Sequence, residues 1–95
     1  MGLDLTISEQ KNFRINEKGN STWEVEQLCN LRNCWELLEI LGIENCSTKS
    51  FYEKDLFSFI QDIEDENETK FILEKLKSVG ITGKDDRTFE IHAWY

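Results

Sequence analysis

The acidic run DIEDENE, residues 62–68, is the part of the sequence whose residue types most suggest a chemical site. It places five carboxylates in seven positions, in a chain of 95 residues with a formal net charge of −8. Carboxylates at this spacing could hold a cation, face a basic partner, or cap the end of a helix. The five acidic residues are Asp62, Glu64, Asp65, Glu66 and Glu68.

A calcium-binding loop is the first of these possibilities. An EF-hand loop needs alternating oxygen ligands, glycine at the sixth position and a bidentate glutamate at the twelfth. Counted from Asp62, the sixth position is Asn67 and the twelfth is Leu73, whose side chain cannot ligate. The run therefore fails the calcium pattern at its two most diagnostic positions, and we predict no metal site there.

Three cysteines and the single histidine form a second set of potential ligands. Cys29, Cys34, Cys46 and His92 could together make a Cys3His zinc site. Structural zinc ligands usually come in close pairs, whereas four residues separate Cys29 from Cys34 and His92 lies at the far end of the chain. We interpret the cysteines as small apolar side chains in a reducing compartment, because an odd number fits a disulfide framework poorly. Zinc stays the alternative.

Catalytic chemistry has little support in the sequence. His92 is the only histidine, and it has no neighbouring carboxylate with an evident role. The chain contains no G-x-S-x-G elbow, no phosphate-binding glycine loop and no H-E-x-x-H motif. We therefore predict a protein that is not an enzyme and that needs no cofactor.

The negative charge is concentrated in the middle of the chain. Residues 21–68 contain twelve acidic and three basic residues, a net charge of −9, whereas residues 1–20 are neutral and residues 69–95 carry +1. Direct nucleic-acid binding would require cationic groups to neutralise phosphates, so it is not expected. A basic protein surface is the natural complement. The alternative is that the acidic face only confers solubility.

Part of the acidic run has an ordinary structural explanation. Asp65, Glu66 and Glu68 lie at or just before the start of a predicted third helix, where carboxylates cap free N–H groups and oppose the helix dipole. Asp62 and Glu64 fall near the end of a predicted second helix, where the dipole disfavours anions. These two residues therefore require another explanation.

Alternating apolar residues predict the strands that would position these groups. Residues 3–7 alternate as a half-buried strand, and a turn at 16–21 favours a hairpin that pairs 12–16 with 22–28. Residues 88–95 alternate again as a final strand.

Helical periodicity predicts three helices between the hairpin and the last strand. They fall within 30–42, at about 51–63 and at 68–80, and Gly42 is expected to end the first. In the first helix either Asn30 or Asn33 can cap the start. The residues at helical spacing there are Leu31, Cys34, Trp35, Leu38 and Leu41. Ser50 and Glu53 form a capping-box pattern at the start of the second helix.

The order of elements predicts an α+β fold. A small antiparallel sheet would contain the N-terminal strand, the hairpin and the C-terminal strand, with about three helices packed on one face. The length predicts a single domain over residues 1–95. No apolar run approaches the roughly 20 residues of a membrane span, and no secretory leader opens the chain, so we expect a cytoplasmic protein that does not bind membranes.

Three residues outside the acidic run could also contact a partner. Glu24 and Glu26 share one face of the second hairpin strand and are expected to project into solvent. Trp94 and His92 lie on the predicted open face of the sheet, where an exposed tryptophan is a common interface anchor. The alternative is that side chains of the hairpin cover Trp94.

The opening MGLDLTI followed by NLRNCWELLEILG resembles small open reading frames carried by bacteriophages and prophages, over about the first 42 residues. Small, acidic, single-domain phage proteins resemble anti-CRISPR and other anti-defence inhibitors, some of which block a nuclease by occupying its DNA-binding groove. The resemblance implies a host defence protein as partner and transfers no residue role.

Together these features predict a non-enzymatic inhibitor that binds a basic, nucleic-acid-binding host protein through an acidic face. The alternatives are an immunity protein that neutralises a cationic nuclease toxin, and a phage structural or assembly protein. The oligomeric state stays open, with a dimer as one possibility. The predicted partner-binding residues are Asp62, Glu64, Asp65, Glu66, Glu68, Glu24, Glu26 and Trp94.

Overall fold

The computed structural model describes residues 2–95, in which four strands and three helices follow one another along the chain. The elements are β1 (Asp4–Ile15), β2 (Ser21–Arg32), α1 (Trp35–Leu41), β3 (Thr48–Tyr52), α2 (Glu53–Gln61), α3 (Glu66–Ser78) and β4 (Thr88–Trp94). The strands form one antiparallel sheet in the order β2-β1-β4-β3, with helices on one face. The predicted α+β fold is confirmed.

β1 is a central strand that is longer than the sequence predicted. It pairs with β2 along its length and with β4 over residues 4–10. Leu3, Leu5 and Ile7 are fully buried, as the alternating pattern predicted. The separate strands predicted at 3–7 and 12–16 are one continuous element, which corrects the prediction of two strands in this part of the chain.

A change of register gives the outer half of the β1–β2 hairpin its own two faces. Gln10 is opposite Val25 and Phe13 is opposite Trp23, so two residues of β1 face one residue of β2 between these pairs. Such a β-bulge moves the following side chains to the opposite face, because alternation has a period of two. Phe13 therefore lies on the helix-free face with Trp23 and Val25, although Ile7 points into the core.

The helices cover the other face of the sheet and complete the core. α1 ends at Gly42, whose left-handed conformation (φ 67°) allows its N–H to donate to Leu38 O at 2.9 Å, as predicted. The core includes these buried side chains: Leu3, Leu5, Ile7, Leu31, Leu37, Leu41, Leu56, Ile60, Ile72, Leu76, Phe89, Ile91 and Ala93.

The first helix begins later than its apolar spacing indicated. Leu31 fits the helical period, but it lies in β2 opposite Leu5 and is buried there. The strand continues to Arg32, because its backbone pairs with β1 as far as Asp4. The helical spacing that begins at Leu31 therefore predicts the start about one turn too early, and Cys34 occupies the N-cap position in place of Asn30 or Asn33.

The predicted loop at 45–50 contains most of an additional strand. β3 pairs with β4 and forms one edge of the sheet, with Phe51 opposite Phe89. The capping box predicted at Ser50 and Glu53 is wrong, because α2 starts at Glu53 and the N-cap position is Tyr52, which makes no side-chain capping bond. A ladder of backbone hydrogen bonds together with partial burial of Phe51 outweighs one cap of about 1 kcal/mol.

Glu53 is buried with its charge paired. Its carboxylate accepts hydrogen bonds from Arg87 Nη2 at 2.9 Å and from the Asp85 N–H at 2.7 Å. Arg87 Nη2 also donates to Gly80 O at 2.8 Å, and Arg87 Nη1 lies 3.5 Å from the Glu9 carboxylate. A buried carboxylate is tolerated only when it is paired in this way. The network ties the start of α2 to β1, to the end of α3 and to the segment before β4.

Arg87→Met should therefore destabilise the protein. The substitution keeps an apolar stem but leaves the Glu53 carboxylate buried with one remaining donor, so we expect the free energy of unfolding to fall by about 3 kcal/mol. Urea denaturation followed by circular dichroism measures this change.

Lys54→Met is the matched control. It removes the exposed ion pair between Lys54 and Asp86, whose charged atoms are 3.5 Å apart, and should change stability by less than about 0.5 kcal/mol. Equal losses in the two variants would contradict a special role for the buried pair.

Candidate protein-binding surface

The carboxylates of the acidic run gather with Glu36 where α1 and α3 begin. The Glu36 side chain accepts hydrogen bonds from the N–H groups of Glu64 and Asp65 at 2.9 and 3.1 Å. In return, Glu68 Oε2 accepts from the Leu37 N–H in the first turn of α1 at 2.9 Å. We refer to this region as the acidic junction, and its members are Glu36, Asp62, Glu64, Asp65, Glu66 and Glu68.

Asp65 has the capping role that the sequence predicted. Its Oδ1 accepts from the N–H groups of Asn67 at 2.9 Å and Glu68 at 3.3 Å, and α3 starts at the next residue, Glu66. Asp62 is the C-cap of α2, where the negative end of the helix dipole disfavours a carboxylate. Capping of helix ends therefore accounts for the carboxylates at Asp65 and Glu68, but it gives no reason for a carboxylate at Asp62.

Among the described residues, the charges of the acidic junction are not held in ion pairs. Within residues 2–95, none of its six carboxylates forms an ion pair with a lysine or an arginine. The side chains of Asp62, Glu64 and Glu66 are exposed, and they accept no hydrogen bond from the described part of the chain. These three charges are the ones most available to a partner.

Glu24 and Glu26 belong to a different charged surface, on the outer half of the hairpin. Arg14 Nη2 lies 2.6 Å from the Glu24 carboxylate, and Lys11 pairs with Glu26. Hydrogen bonding and charge attraction from Glu26 raise the pKa of Lys11 above its usual value. Glu26 is separated from Arg32, at the other end of β2, by about 20 Å at the normal rise of a strand. The structure does not join these two carboxylates to the acidic junction.

Trp94 is exposed on the helix-free face of the sheet, as one of the two alternatives predicted. Its side chain is 59% exposed, and in the register of β1 and β4 it lies opposite Asp4. His92 lies on the same face, with Nδ1 2.8 Å from Thr48 Oγ1. The hairpin side chains do not cover Trp94, so it is free to contact a partner.

Trp35 is an exposed aromatic residue that the sequence pattern assigned to the interior. It fits the apolar spacing of α1, yet 45% of its surface is exposed, and its ring packs edge-on against Tyr95 with centroids 5.7 Å apart. It directly precedes Glu36 in the chain, and its side chain lines a shallow cleft with Glu39, Glu44 and Tyr95. Trp35 is the first residue of a short helix whose buried face is formed by Leu37, Leu38 and Leu41, and its ring lies outside that face.

The cysteines are spread over three environments. Cys34 is buried, Cys29 is half-buried and Cys46 is exposed. Burial, assisted by the negative charge of Glu68, raises the pKa of the Cys34 thiol to about 12, and burial also raises the pKa of Cys29. Within residues 2–95, no three cysteine, histidine, aspartate or glutamate side chains lie close enough to hold a metal ion together. The four ligands of the alternative zinc site do not meet.

Comparison with known proteins adds no family to this description. No protein-family model matches the chain, and neither curated proteins nor solved structures gave a significant match. In the part of the chain that the structure describes, no helix is long and apolar enough to span a membrane.

Substitutions of Glu66 and Glu68 should change stability by different amounts, although both residues lie in the first turn of α3. Glu68→Ala removes the carboxylate that caps α1 at Leu37 and should lower the free energy of unfolding by about 1 kcal/mol. Glu66→Ala removes the same charge without a hydrogen bond and should stay within about 0.5 kcal/mol of the parent protein. Thermal or urea denaturation of both variants tests this, and equal effects would contradict the reciprocal capping.

The three thiols should react with iodoacetamide at different rates. Cys46 is expected to be labelled first, whereas Cys34 should react only when the protein opens, because it is buried and stays protonated. Raising the pH from about 7 to about 9 would ionise much of an ordinary thiol but leaves Cys34 protonated. Peptide mass spectrometry measures each rate, and labelling in urea is the control. Native labelling of Cys34 as fast as Cys46 would refute this assignment.

Proposed function

We propose that this chain is a non-enzymatic inhibitor of the phage anti-defence type, which binds the basic, nucleic-acid-binding surface of a host protein. The observation that supports this function is the acidic junction, whose six carboxylates form no ion pair within residues 2–95. An inhibitor of this kind acts in the host cytoplasm, where its partner handles nucleic acid.

The carboxylates divide into those that hold the junction and those that face outward. Glu36, Asp65 and Glu68 are engaged with backbone N–H groups, so they fix the path of the chain between α2 and α3. Asp62 and Glu64 extend from this fixed segment into solvent. A preorganised set of charges binds with a smaller entropic cost than a flexible acidic tail, and its carboxylates can take the place of phosphates against basic side chains.

Aromatic residues supply the apolar part of the proposed interface. Trp35 directly precedes Glu36 of the acidic junction in the chain, and exposed tryptophans are enriched among the residues that dominate binding energy. Trp94 is a second exposed tryptophan, on the helix-free face. Glu24 and Glu26 are secondary contacts in this proposal, because Arg14 and Lys11 already balance their charges.

Reversing the outward charges should abolish binding without unfolding the protein. In the triple variant Asp62→Lys, Glu64→Lys and Glu66→Lys, the exposed side chains change sign while the capping carboxylates remain. Capture from a nuclease-treated bacterial lysate should yield a basic protein with the parent chain and none with the variant. The captured protein should be released by high salt and by added duplex DNA, because both compete for the same cationic groups.

A matched triple variant shows whether binding depends on where the negative charges lie or only on the net charge of the protein. Glu17→Lys, Glu44→Lys and Glu74→Lys change the net charge by the same amount at exposed residues outside the acidic junction. This control should retain binding at moderate salt. Unchanged capture by the Asp62, Glu64 and Glu66 variant, or a captured protein that DNA does not displace, would rule out the proposed mechanism.

A further inference from the structure

A cleft of about 500 Å³ lies beside the outer half of the hairpin, away from the acidic junction. Trp23 of β2 and Tyr52 of β3 contribute aromatic walls, and Phe51 and Phe59 continue the apolar lining. The volume falls within the range of roughly 300–1,000 Å³ that is usual for small-ligand sites. We refer to it as the aromatic cleft.

The bulge in β1 brings Phe13 beside Trp23. It places Phe13 on the same face as Trp23, and the two rings pack edge-on with centroids 5.1 Å apart. Phe51 and Phe59 form a second edge-on pair at 5.9 Å, which joins β3 to α2. Trp23 is therefore positioned by the ring of Phe13, and Phe51 and Phe59 position each other.

Gln10 lines the cleft, and two hydrogen bonds fix its side-chain amide. Gln10 Nε2 donates to Ser50 Oγ at 3.2 Å and to Glu90 Oε1 at 2.8 Å. Because the amide nitrogen is engaged on both sides, the carbonyl oxygen of Gln10 is the part of this side chain left to contact a ligand. The hydroxyl groups of Ser50 and Thr88 also line the cleft.

The charge of the cleft favours a cation. Asp55 lines it, and this exposed carboxylate forms no ion pair within residues 2–95. No lysine or arginine is among the lining residues. Aromatic faces attract cations through their ring quadrupole, and guanidinium groups stack on them more readily than ammonium groups do. An anion would find no positive group in the lining.

We propose that the aromatic cleft binds an arginine side chain of a partner protein. The guanidinium stacks on Trp23 and Tyr52, its charge is balanced by Asp55, and the Gln10 carbonyl oxygen accepts one of its hydrogen bonds. The apolar stem of the arginine packs against Phe51 and Phe59. This site shares no residue with the acidic junction and does not depend on its function.

Titration with a small probe tests the site directly. N-acetyl-arginine amide is added to the ¹⁵N-labelled protein, and N-acetyl-citrulline amide, which has nearly the same shape without the charge, serves as the control probe. The arginine probe should shift the indole N–H signal of Trp23 and the backbone signals of Tyr52 and Asp55, at millimolar concentrations. The indole signals of Trp35 and Trp94 should stay in place.

Substitutions in the cleft should lower its affinity for the arginine probe without changing the fold. We expect Asp55→Asn and Tyr52→Leu each to raise the dissociation constant about tenfold, and Trp23→Leu to abolish the shifts. Trp94→Leu, which removes another exposed tryptophan, should have no effect. If Trp23→Leu disturbs the hairpin, the Asp55 and Tyr52 variants decide the outcome, because both side chains are exposed.

Three results would overturn the proposal. Equal shifts with citrulline would show that the charge is not recognised. Shifts at Trp35 or in the acidic junction, with none at Trp23, would place arginine binding elsewhere. Shifts of the cleft signals on dilution without any probe would show that a second copy of the chain occupies the cleft.

Discussion

β1 makes backbone hydrogen bonds along both of its edges, and the other elements take their positions from this double pairing. β2 lies on one side and β4 on the other, and β4 in turn carries the edge strand β3. The first half of β1 buries Leu5 and Ile7 beneath the helices. Beyond the bulge, the same strand leaves the core and supports the outer part of the hairpin. One strand therefore serves as the centre of the fold and as the base of an exposed arm.

Among residues 2–95, the carboxylates of this protein cap helices, form ion pairs, or stay unpaired in solvent. The sequence alone predicted only some of these roles. Sequence position identified Asp65 as a helix cap, because local hydrogen bonds depend on neighbouring residues. Strand pairing brings Lys11 to Glu26 and Arg14 to Glu24, so the charge of residues 21–68 is partly neutralised by bases from outside that segment. Such long-range pairing has no signal in composition. The link between Glu36 and the acidic run also depends on tertiary structure.

The fold was predictable wherever a short pattern had a single physical meaning. Alternation identified the buried faces of β1 and β4, and Gly42 identified the end of α1. The pattern misled where two structures competed for the same residues. Leu31 suits a helix stripe as well as a strand, and the strand prevails because β1 provides partners for its backbone. Ser50 suits a cap, but the exposed edge of β4 recruits the segment around it into β3.

The pairing of β1 with β4 joins residues from opposite ends of the described chain, such as Glu9 and Phe89. Contacts so distant in sequence make folding slow, because a long loop must close before they can form. During synthesis the β1–β2 hairpin can assemble early, but β1 keeps one unpaired edge until residues 88–94 leave the ribosome. During that interval the unpaired edge of β1 can pair with a strand of another chain. The newly made protein is therefore most prone to aggregation before β4 has been synthesised.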